Sequence, residues 1–180
     1  MGIILASASP RRKELLGFIV NEYEVVPSKV EEIVPKGMPV LKQPEYLSKI
    51  KALDIAKQHP NDTVIGADTS VILGKEILGK PKDRADAEGM LLNLSGKVHK
   101  VVTGCTVVKN GVAKSFSVVS RVKFQKLTKA EIDTYLDTDE PYDKAGSYAV
   151  QGRAGAFVEW IKGDYFNIVG LPIAQLKKYI

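Results

Sequence analysis

Two serines and two arginines follow the first apolar run of the chain. Residues 3–6 predict a short buried strand, and Ser7, Ser9, Arg11 and Arg12 come directly after it. Arginines in the first turn of a helix oppose the helix dipole, at a cost of about 0.3–1 kcal/mol each. Free backbone N–H groups, hydroxyls and guanidinium groups together form a cradle for phosphate oxygens. The alternative is a capped helix whose arginines point into solvent.

A single carboxylate interrupts the strongest strand signal of the sequence. Asp68 lies within residues 63–73, a run rich in Val, Ile and Thr, and it shares a strand face with Gly66 and Ser70. Gly66 leaves room for a ligand or for another backbone. A buried carboxylate is costly unless it meets a cation, a metal or a proton donor, so Asp68 is a candidate general base or metal ligand. The alternative is a structural aspartate bonded to a neighbouring turn.

Four further residues have charged or polar side chains that could belong to the same site. Glu32, in the pair 31–32, offers a second carboxylate for a divalent ion, or is half of a solvated acidic pair. Lys80 lies on a stiff turn between Gly79 and Pro81 and Lys51 lies on a helix, and ordinary surface charge is the usual reading of either lysine. Gln151 lies in a loop of small and polar residues, and its amide could contact a base edge through both donor and acceptor.

The elements that position these residues alternate between strand and helix patterns. Ser9 and Pro10 predict a helix start, and a second helix begins at Pro44. The remaining predictions are strands over 23–26, 63–73, 77–78, 98–108 and 112–124, a hairpin over 157–169, a loop over 137–153, and helices over 83–94, from Thr128 and from Pro172. Strands mixed with helices, some in hairpins, predict an α/β fold with a mixed sheet.

Three details of this prediction depend on single residues. Asn110-Gly111 is the strongest short hairpin signal. Thr128 and Glu131 form a capping box. The helix from Pro44 carries an apolar stripe that predicts its buried face, namely Tyr46, Leu47, Ile50 and Leu53.

Composition restricts the class of protein. The chain has 180 residues, of which 44% are hydrophobic and 26% charged, which predicts one globular domain over 1–180. A single cysteine, Cys105, excludes an internal disulfide, and two histidines argue against a Cys/His zinc site. The formal net charge of +5 favours anionic partners. No membrane span or secretory signal is found, so a soluble intracellular protein is expected.

Taken together, the ordered motifs resemble the Maf family of nucleoside triphosphate pyrophosphatases. The matching segments run over nearly the whole chain: Ser7-Ala8-Ser9-Pro10-Arg11-Arg12, Glu31-Glu32, Lys51-Ala52, Gly66-Ala67-Asp68-Thr69, Gly79-Lys80-Pro81, Leu94-Ser95-Gly96, Asp143-Lys144-Ala145-Gly146, Gln151-Gly152 and Gly170-Leu171-Pro172. Each segment is weak alone, but their order is specific.

The resemblance implies a fold and an activity. The fold is a mixed twisted sheet with flanking helices and two lobes around a cleft, like that of inosine triphosphate pyrophosphatases. The activity is cleavage of a nucleoside triphosphate to its monophosphate and pyrophosphate, with a divalent cation, Mg²⁺ or Mn²⁺. A cytoplasmic homodimer without membrane attachment is also implied.

The resemblance also assigns roles to residues. Asp68 would be the proton acceptor and, with Glu32, a metal ligand. Phosphate would be bound by Arg12, Lys51 and Lys80, beside the hydroxyls of Ser7 and Ser9. At the selectivity positions Arg11, Thr69 and Gln151 the chain is similar to the branch that acts on dTTP and UTP, and modified pyrimidine nucleotides would extend that range.

A non-catalytic function is the alternative. The positive net charge and the family's association with inhibited septum formation favour a nucleic-acid-binding or cell-division regulatory protein. Against it, the sequence has one tryptophan and shows no interleaving of aromatic and basic residues. Pyrophosphate release separates the two hypotheses.

Overall fold

A computed structural model describes residues 2–180 of the chain. Within that range the strands are β1 (Ile3–Leu5), β2 (Glu24–Val25), β3 (Thr63–Leu73), β4 (Glu76–Leu78), β5 (Val98–Lys109), β6 (Val112–Phe124) and β7 (Val158–Lys162). The α-helices are α1 (Pro10–Gly17), α2 (Gln43–Ala56), α3 (Arg84–Leu94), α4 (Lys129–Leu136), α5 (Tyr165–Val169) and α6 (Ile173–Leu176). Short 3-10 turns occupy Val40–Lys42, Glu140–Asp143, Ala145–Ser147 and Arg153–Phe157.

Local signals in the sequence placed several element ends correctly. Asn110 and Gly111 have φ angles of 51° and 73°, as the turn between β5 and β6 requires. The side chain of Thr128 accepts a hydrogen bond from the backbone N–H of Glu131, and the Glu131 carboxylate accepts one from the backbone N–H of Thr128. The capping box at the start of α4 is therefore confirmed.

The chain divides into two compact units. Unit 1 contains the described residues up to Thr69, together with Val102–Val118 and Phe166–Ile180. In this unit β1 pairs in parallel with β2 on one side and with β3 on the other. Consecutive residues of β1 pack in different cores: Leu5 packs in a cluster with Leu15 and Leu16 of α1, and Ile4 packs in a cluster with Ala52 of α2. Opposite faces of this parallel sheet are thus covered by different helices.

The predicted buried stripe of α2 was wrong. The buried residues of this helix are Pro44, Ser48, Ala52 and Ile55, whereas Tyr46, Leu47, Ile50 and Leu53 are only partly buried. The reason is a close approach of helix to sheet, because a Cβ atom at Gly66 would overlap the carbonyl oxygen of Ser48. Only small side chains fit between two backbones at that separation.

Unit 2 comprises Ser70–Val101 and Val119–Tyr165. Its strands pair in antiparallel, with Ile72 opposite Ile77 in β3 and β4, and Val122 opposite Ile161 in β6 and β7. Its fully buried large side chains come from β3, α3, β6 and α4, namely Ile72, Leu91, Leu94, Phe124, Ile132 and Leu136. Parallel pairing in unit 1 and antiparallel pairing in unit 2 confirm the expected mixed sheet.

The predicted hairpin over 157–169 was half wrong. β7 is its first strand, but the chain then turns at Gly163, with a φ angle of 115°, and continues as the helix α5. In unit 1 the Oδ1 atom of Asn167 accepts a hydrogen bond from the backbone N–H of Thr103 at 3.0 Å. The aromatic and β-branched residues of this segment favour a strand, which explains the prediction. In the structure Asn167 lies in the helix α5, and its side chain contacts Thr103 from there.

Two further expectations concern the whole chain. Within residues 2–180, no helix combines the length and the apolar character that crossing a bilayer requires. The single thiol, Cys105, is fully buried, and burial raises its pKa to about 12. The cleft implied by the resemblance stays a prediction.

Candidate active site

Arg12 is fixed by three hydrogen bonds at the point where β1 ends. Its Nε donates to the carbonyl oxygen of Gly170 at 3.0 Å, its Nη1 to the hydroxyl of Ser7 at 3.2 Å, and its Nη2 to the hydroxyl of Thr69 at 3.1 Å. A guanidinium group has five N–H bonds. Two are therefore left for a ligand, one on each terminal nitrogen, in the fork geometry that suits phosphate oxygens.

Ser9 and Arg11 have different surroundings from Arg12. Ser9 is the N-cap residue of α1 and Pro10 its first residue, as predicted, but the Ser9 side chain makes no capping hydrogen bond. Instead, the backbone N–H of Ser9 donates to the Ser7 hydroxyl at 3.3 Å. Arg11 is partly buried, and among residues 2–180 its Nε has no hydrogen-bond partner. The start of α1 thus keeps the Ser9 hydroxyl and one buried N–H of Arg11 for a ligand.

Asp68 is held by a lysine that also contacts Glu32. The Nζ atom of Lys51 lies 2.8 Å from Asp68 Oδ1 and 2.9 Å from Glu32 Oε1. Burial raises the pKa of Asp68 above its usual value, and the charges of Lys51 and Arg12 oppose that shift. A carboxylate with a raised pKa is a better proton acceptor than one in water.

Close packing of α2 brings Lys51 to Asp68. The helix approaches β3 at Gly66, two residues before Asp68, where an added Cβ would also lie 2.9 Å from the Cβ of Ala52. Lys51 immediately precedes Ala52 in the same helix. Of the two uses that the sequence left open for Gly66, the structure therefore shows the approach of another backbone.

Asp68 and Thr69 are consecutive residues of β3 and so belong to opposite faces of the sheet. Asp68 is held by Lys51 of α2, whereas Thr69 is held by Arg12 of α1. The neighbouring strand β1 ends before it reaches the level of these two residues. Its last residue, Leu5, pairs with Ile65, and the N–H of Ala6 donates to the carbonyl oxygen of Ile65. Beyond that point both side chains lie past the carboxyl end of a parallel strand, where α/β sheets bind ligands.

Two of the predicted site residues belong to unit 2. Lys80 is exposed and follows Gly79, whose carbonyl accepts a hydrogen bond from the N–H of Gly146 at 3.0 Å. Gln151 is exposed in the loop before the 3-10 turn Arg153–Phe157. Hydrogen bonds of unit 1 join six of the predicted residues into two groups, Ser7 with Arg12 and Thr69, and Glu32 with Lys51 and Asp68.

A divalent metal ion is compatible with this set of donors. Within residues 2–180 no group of three or more His, Cys, Asp or Glu side chains could hold a metal. Two carboxylates, Glu32 and Asp68, converge on one cation, the Lys51 ammonium. Mg²⁺ is commonly bound through one or two carboxylates, with water and substrate phosphates as its other ligands. Glu32 and Asp68 would thus hold the ion.

The sequence prediction missed two residues that support Thr69. The Thr69 hydroxyl lies 2.9 Å from the Thr103 hydroxyl, and the Thr103 hydroxyl donates to the carbonyl oxygen of Asn167 at 2.8 Å. Both Thr103 and Asn167 are completely buried. Their polar character within apolar segments was the only signal in the sequence, and it does not reveal a partner.

Comparison with known sequences identifies the family. The sequence model described as "Maf-like protein" matches residues 2–180, and the chain belongs to this family. A dTTP/UTP pyrophosphatase of Pyrococcus abyssi is 48% identical over 178 residues, which are 99% of this chain and 94% of that protein. A dTTP/UTP pyrophosphatase of Clostridioides difficile is 45% identical over 185 residues, covering 99% of this chain and 95% of that protein.

Solved structures support the fold. The Staphylococcus aureus Ham1 protein aligns with a TM-score of 0.59 at 16% identity, over 99% of this chain and 97% of that chain. A HAM1 protein from Coxiella burnetii aligns with a TM-score of 0.58 at 13% identity, over 99% of this chain and 97% of that chain. At these identities the likeness concerns the fold alone.

Proposed function

We propose that this protein is a nucleoside triphosphate pyrophosphatase that converts dTTP and UTP to the monophosphate and pyrophosphate. One observation carries the proposal. Asp68, a largely buried carboxylate held by Lys51, precedes Thr69 in β3, and the Thr69 hydroxyl holds the Arg12 guanidinium, which has two N–H bonds left for a ligand. The names of the relatives that match the whole chain support the same substrates.

Each residue has a separate task in this proposal. Arg12 binds phosphate oxygens, with the hydroxyls of Ser7 and Ser9 and the backbone at the start of α1. Asp68 accepts a proton from the water that attacks the innermost phosphorus, and the bond from that phosphorus to the pyrophosphate leaving group breaks. Lys51 keeps that carboxylate ionised, because its ammonium group lies 2.8 Å away. Arg11, Lys80 and Gln151 are assigned to the remaining phosphate and base contacts.

A metal ion and a single functional domain complete the proposal. Glu32 and Asp68 would hold a divalent cation, which would supply positive charge against the phosphate oxygens. Residues 1–180 act as one pyrophosphatase domain, since the family model spans residues 2–180 without a break.

The test replaces the proton acceptor without changing its shape. Asp68→Asn is expected to lower kcat by about 10²–10⁴-fold, the usual contribution of a general base. Asp54→Asn is the matched control, because Asp54 is a carboxylate of the same unit that accepts a hydrogen bond from Ser28 and contacts none of the site residues named above. Rates are measured as pyrophosphate released from dTTP and UTP with Mn²⁺. Near-normal turnover by D68N, or release of orthophosphate alone, would contradict the proposal.

A further inference from the structure

One face of the sheet in unit 2 brings a tryptophan together with cations. β6 and β7 pair in antiparallel, with Arg121 opposite Lys162 and Lys123 opposite Trp160. Residues that pair directly lie on the same face of a sheet, so these four side chains are neighbours. Arg121, Trp160 and Lys162 are exposed, and Lys123 is partly buried. Strand pairing thus places one large aromatic ring among three positive charges.

β5 extends this face on the other side of β6. It is the neighbour of β6 in the sheet, and its residues alternate between the two faces. His99 is buried and packs edge-on against Phe124 of β6, whereas Val98 is exposed and Lys100 partly buried. The open face, as we call it, is therefore formed by three strands of unit 2, namely by Val98, Lys100, Arg121, Lys123, Trp160 and Lys162.

The opposite face of the same sheet is packed against a helix. Phe124 is completely buried, and its ring packs edge-on against that of Phe157. Phe157 packs in the same way against Tyr135 of α4. The sheet therefore has an apolar side, which α4 covers, and the open face, which α4 leaves to solvent.

The charges of the open face are available to a partner. Among residues 2–180, none of the ion pairs involves a cation of the open face. The Nζ atom of Lys123 donates to the carbonyl oxygen of Gly96 at 2.8 Å and keeps two more N–H bonds. The acidic residue of β7, Glu159, has no paired residue in β6, because the register shifts there. Four cations against one carboxylate favour an anionic partner.

An aromatic ring among cations favours one kind of anionic partner. Trp160 is 40% exposed. Proteins bind single-stranded nucleic acids by combining cations that follow the phosphates with aromatic side chains on which bases stack. The bases of a duplex are already stacked on one another, so the ring has a use only in a single strand.

Charge argues against a second copy of this chain as the partner. In a dimer with two-fold symmetry, a surface patch meets the same patch of the other copy. The four cations of the open face would then meet four identical cations. Like charges placed opposite each other weaken association, whereas the phosphates of a nucleic acid neutralise them.

We propose that the open face binds single-stranded nucleic acid, with a base stacked on Trp160 and phosphates bound by Lys100, Arg121, Lys123 and Lys162. This function goes beyond the cleavage of nucleoside triphosphates and does not depend on it. The aromatic and basic residues are brought together by strand pairing, which is why the sequence alone shows no interleaving of the two types.

The test uses the fluorescence of Trp160. The chain has one tryptophan, so this signal reports on the open face alone. A single strand of about 12 nucleotides, within the usual site size, is added to the full chain in EDTA. DNA and RNA strands of the same mixed sequence, without a 5′-triphosphate, present the same phosphates and base faces, and both are expected to quench the signal. The logarithm of the binding constant should fall with the logarithm of salt concentration with a slope of about −3, since each neutralised phosphate contributes about −0.7.

Variants assign the binding to the open face. Trp160→Leu is expected to weaken binding of a labelled strand about tenfold, while Trp160→Phe keeps an aromatic ring and most of the affinity. Arg121→Gln and Lys162→Gln should each make the salt slope shallower by about 0.7. Lys75→Gln is the matched control, because Lys75 is an exposed lysine of the same unit in the turn between β3 and β4, and it should leave the slope unchanged. Fluorescence anisotropy of the labelled strand measures all four variants.

Several results would overturn the proposal. They are the absence of quenching, full affinity in W160L, a slope changed as much by K75Q as by R121Q, and binding of a duplex as tight as that of the single strand. Displacement of the strand by dTTP would place it in the candidate active site instead. Binding to phosphatidylserine vesicles without binding to the strand would make the partner a membrane surface, and a dimer in sedimentation that R121Q dissociates would make it a second copy. None of these results changes the release of pyrophosphate, which tests the proposed function separately.

Discussion

Lys51 serves two carboxylates whose environments differ. The side chain of Asp68 is 14% exposed, whereas that of Glu32 is 51% exposed. An ion pair with an exposed partner contributes little to stability. The contact between Lys51 and Glu32 is therefore available for exchange, while the contact with Asp68 keeps a largely buried carboxylate paired. Glu32 is therefore suited to bind a ligand reversibly.

Glu32→Gln tests this assignment. The variant removes one of the two carboxylates that would hold the metal, but it leaves the pair of Lys51 and Asp68 intact. We expect the Mn²⁺ concentration for half-maximal pyrophosphate release to rise about tenfold or more, the scale of changes seen when a metal's surroundings are altered. Glu31→Gln is the control, since it removes the neighbouring negative charge, and its metal requirement should stay at the original value. Equal requirements in the two variants would exclude Glu32 as a ligand.

Helix α2 is positioned by glycines in two strands of unit 1. A Cβ at Gly66 in β3 would overlap the carbonyl oxygen of Ser48, and one at Gly104 in β5 would overlap backbone atoms of Pro44 and Glu45. In both places the obstacle is backbone, which cannot move aside as a flexible side chain can. These two glycines therefore set the distance between α2 and the sheet, and with it the position of Lys51 relative to Asp68.

Gly104→Ala should therefore destabilise the protein strongly. Insertion of a methyl group into packed structure costs about 1–3 kcal/mol, and more where backbone must shift, so we expect a loss near or above 3 kcal/mol. Gly89→Ala in the interior of α3 is the matched control, because nothing lies within 4 Å of an added Cβ there. It should stabilise the helix by about 0.5–1 kcal/mol. Urea midpoints measure both, and a G104A midpoint equal to the original one would refute the close approach.

The same elements show what the sequence can and cannot predict. The capping box of Thr128 and the Asn110-Gly111 turn were predicted correctly, because a few neighbouring residues determine them. The buried face of α2 was not, since it depends on Gly66 and Gly104, which are distant in sequence. The same holds within the site: Arg12 and Asp68 are unusual residue types at their positions, whereas Thr103 is one threonine among several until its partners are known.

Unit 2 buries a histidine that would carry a charge in acid. His99 is 1% exposed, its Nε2 lies 2.6 Å from the hydroxyl of Tyr148, and its ring packs edge-on against Phe124. Among residues 2–180 its Nδ1 has no hydrogen-bond partner. Burial lowers the pKa of His99 from 6.5 to about 4. At the scale of the whole molecule, this residue links folding stability to pH.

The direction of the link follows from which state binds the proton. Between pH 6.5 and about 4 the unfolded chain takes up a proton at His99 and the folded chain does not. The stability that depends on neutral His99 is therefore complete above pH 6.5 and is lost as the pH falls through that window, by up to about 1.4 kcal/mol per pH unit. His99→Gln cannot be protonated there, so its free energy of unfolding should fall less steeply with acid, whatever its value at pH 7. His59→Gln is the control, since it removes the other, partly exposed histidine and leaves His99 in place. Urea unfolding at pH 7, 6, 5 and 4.5 gives the slopes, and an H99Q slope as steep as that of H59Q would show that His99 is protonated in the folded state.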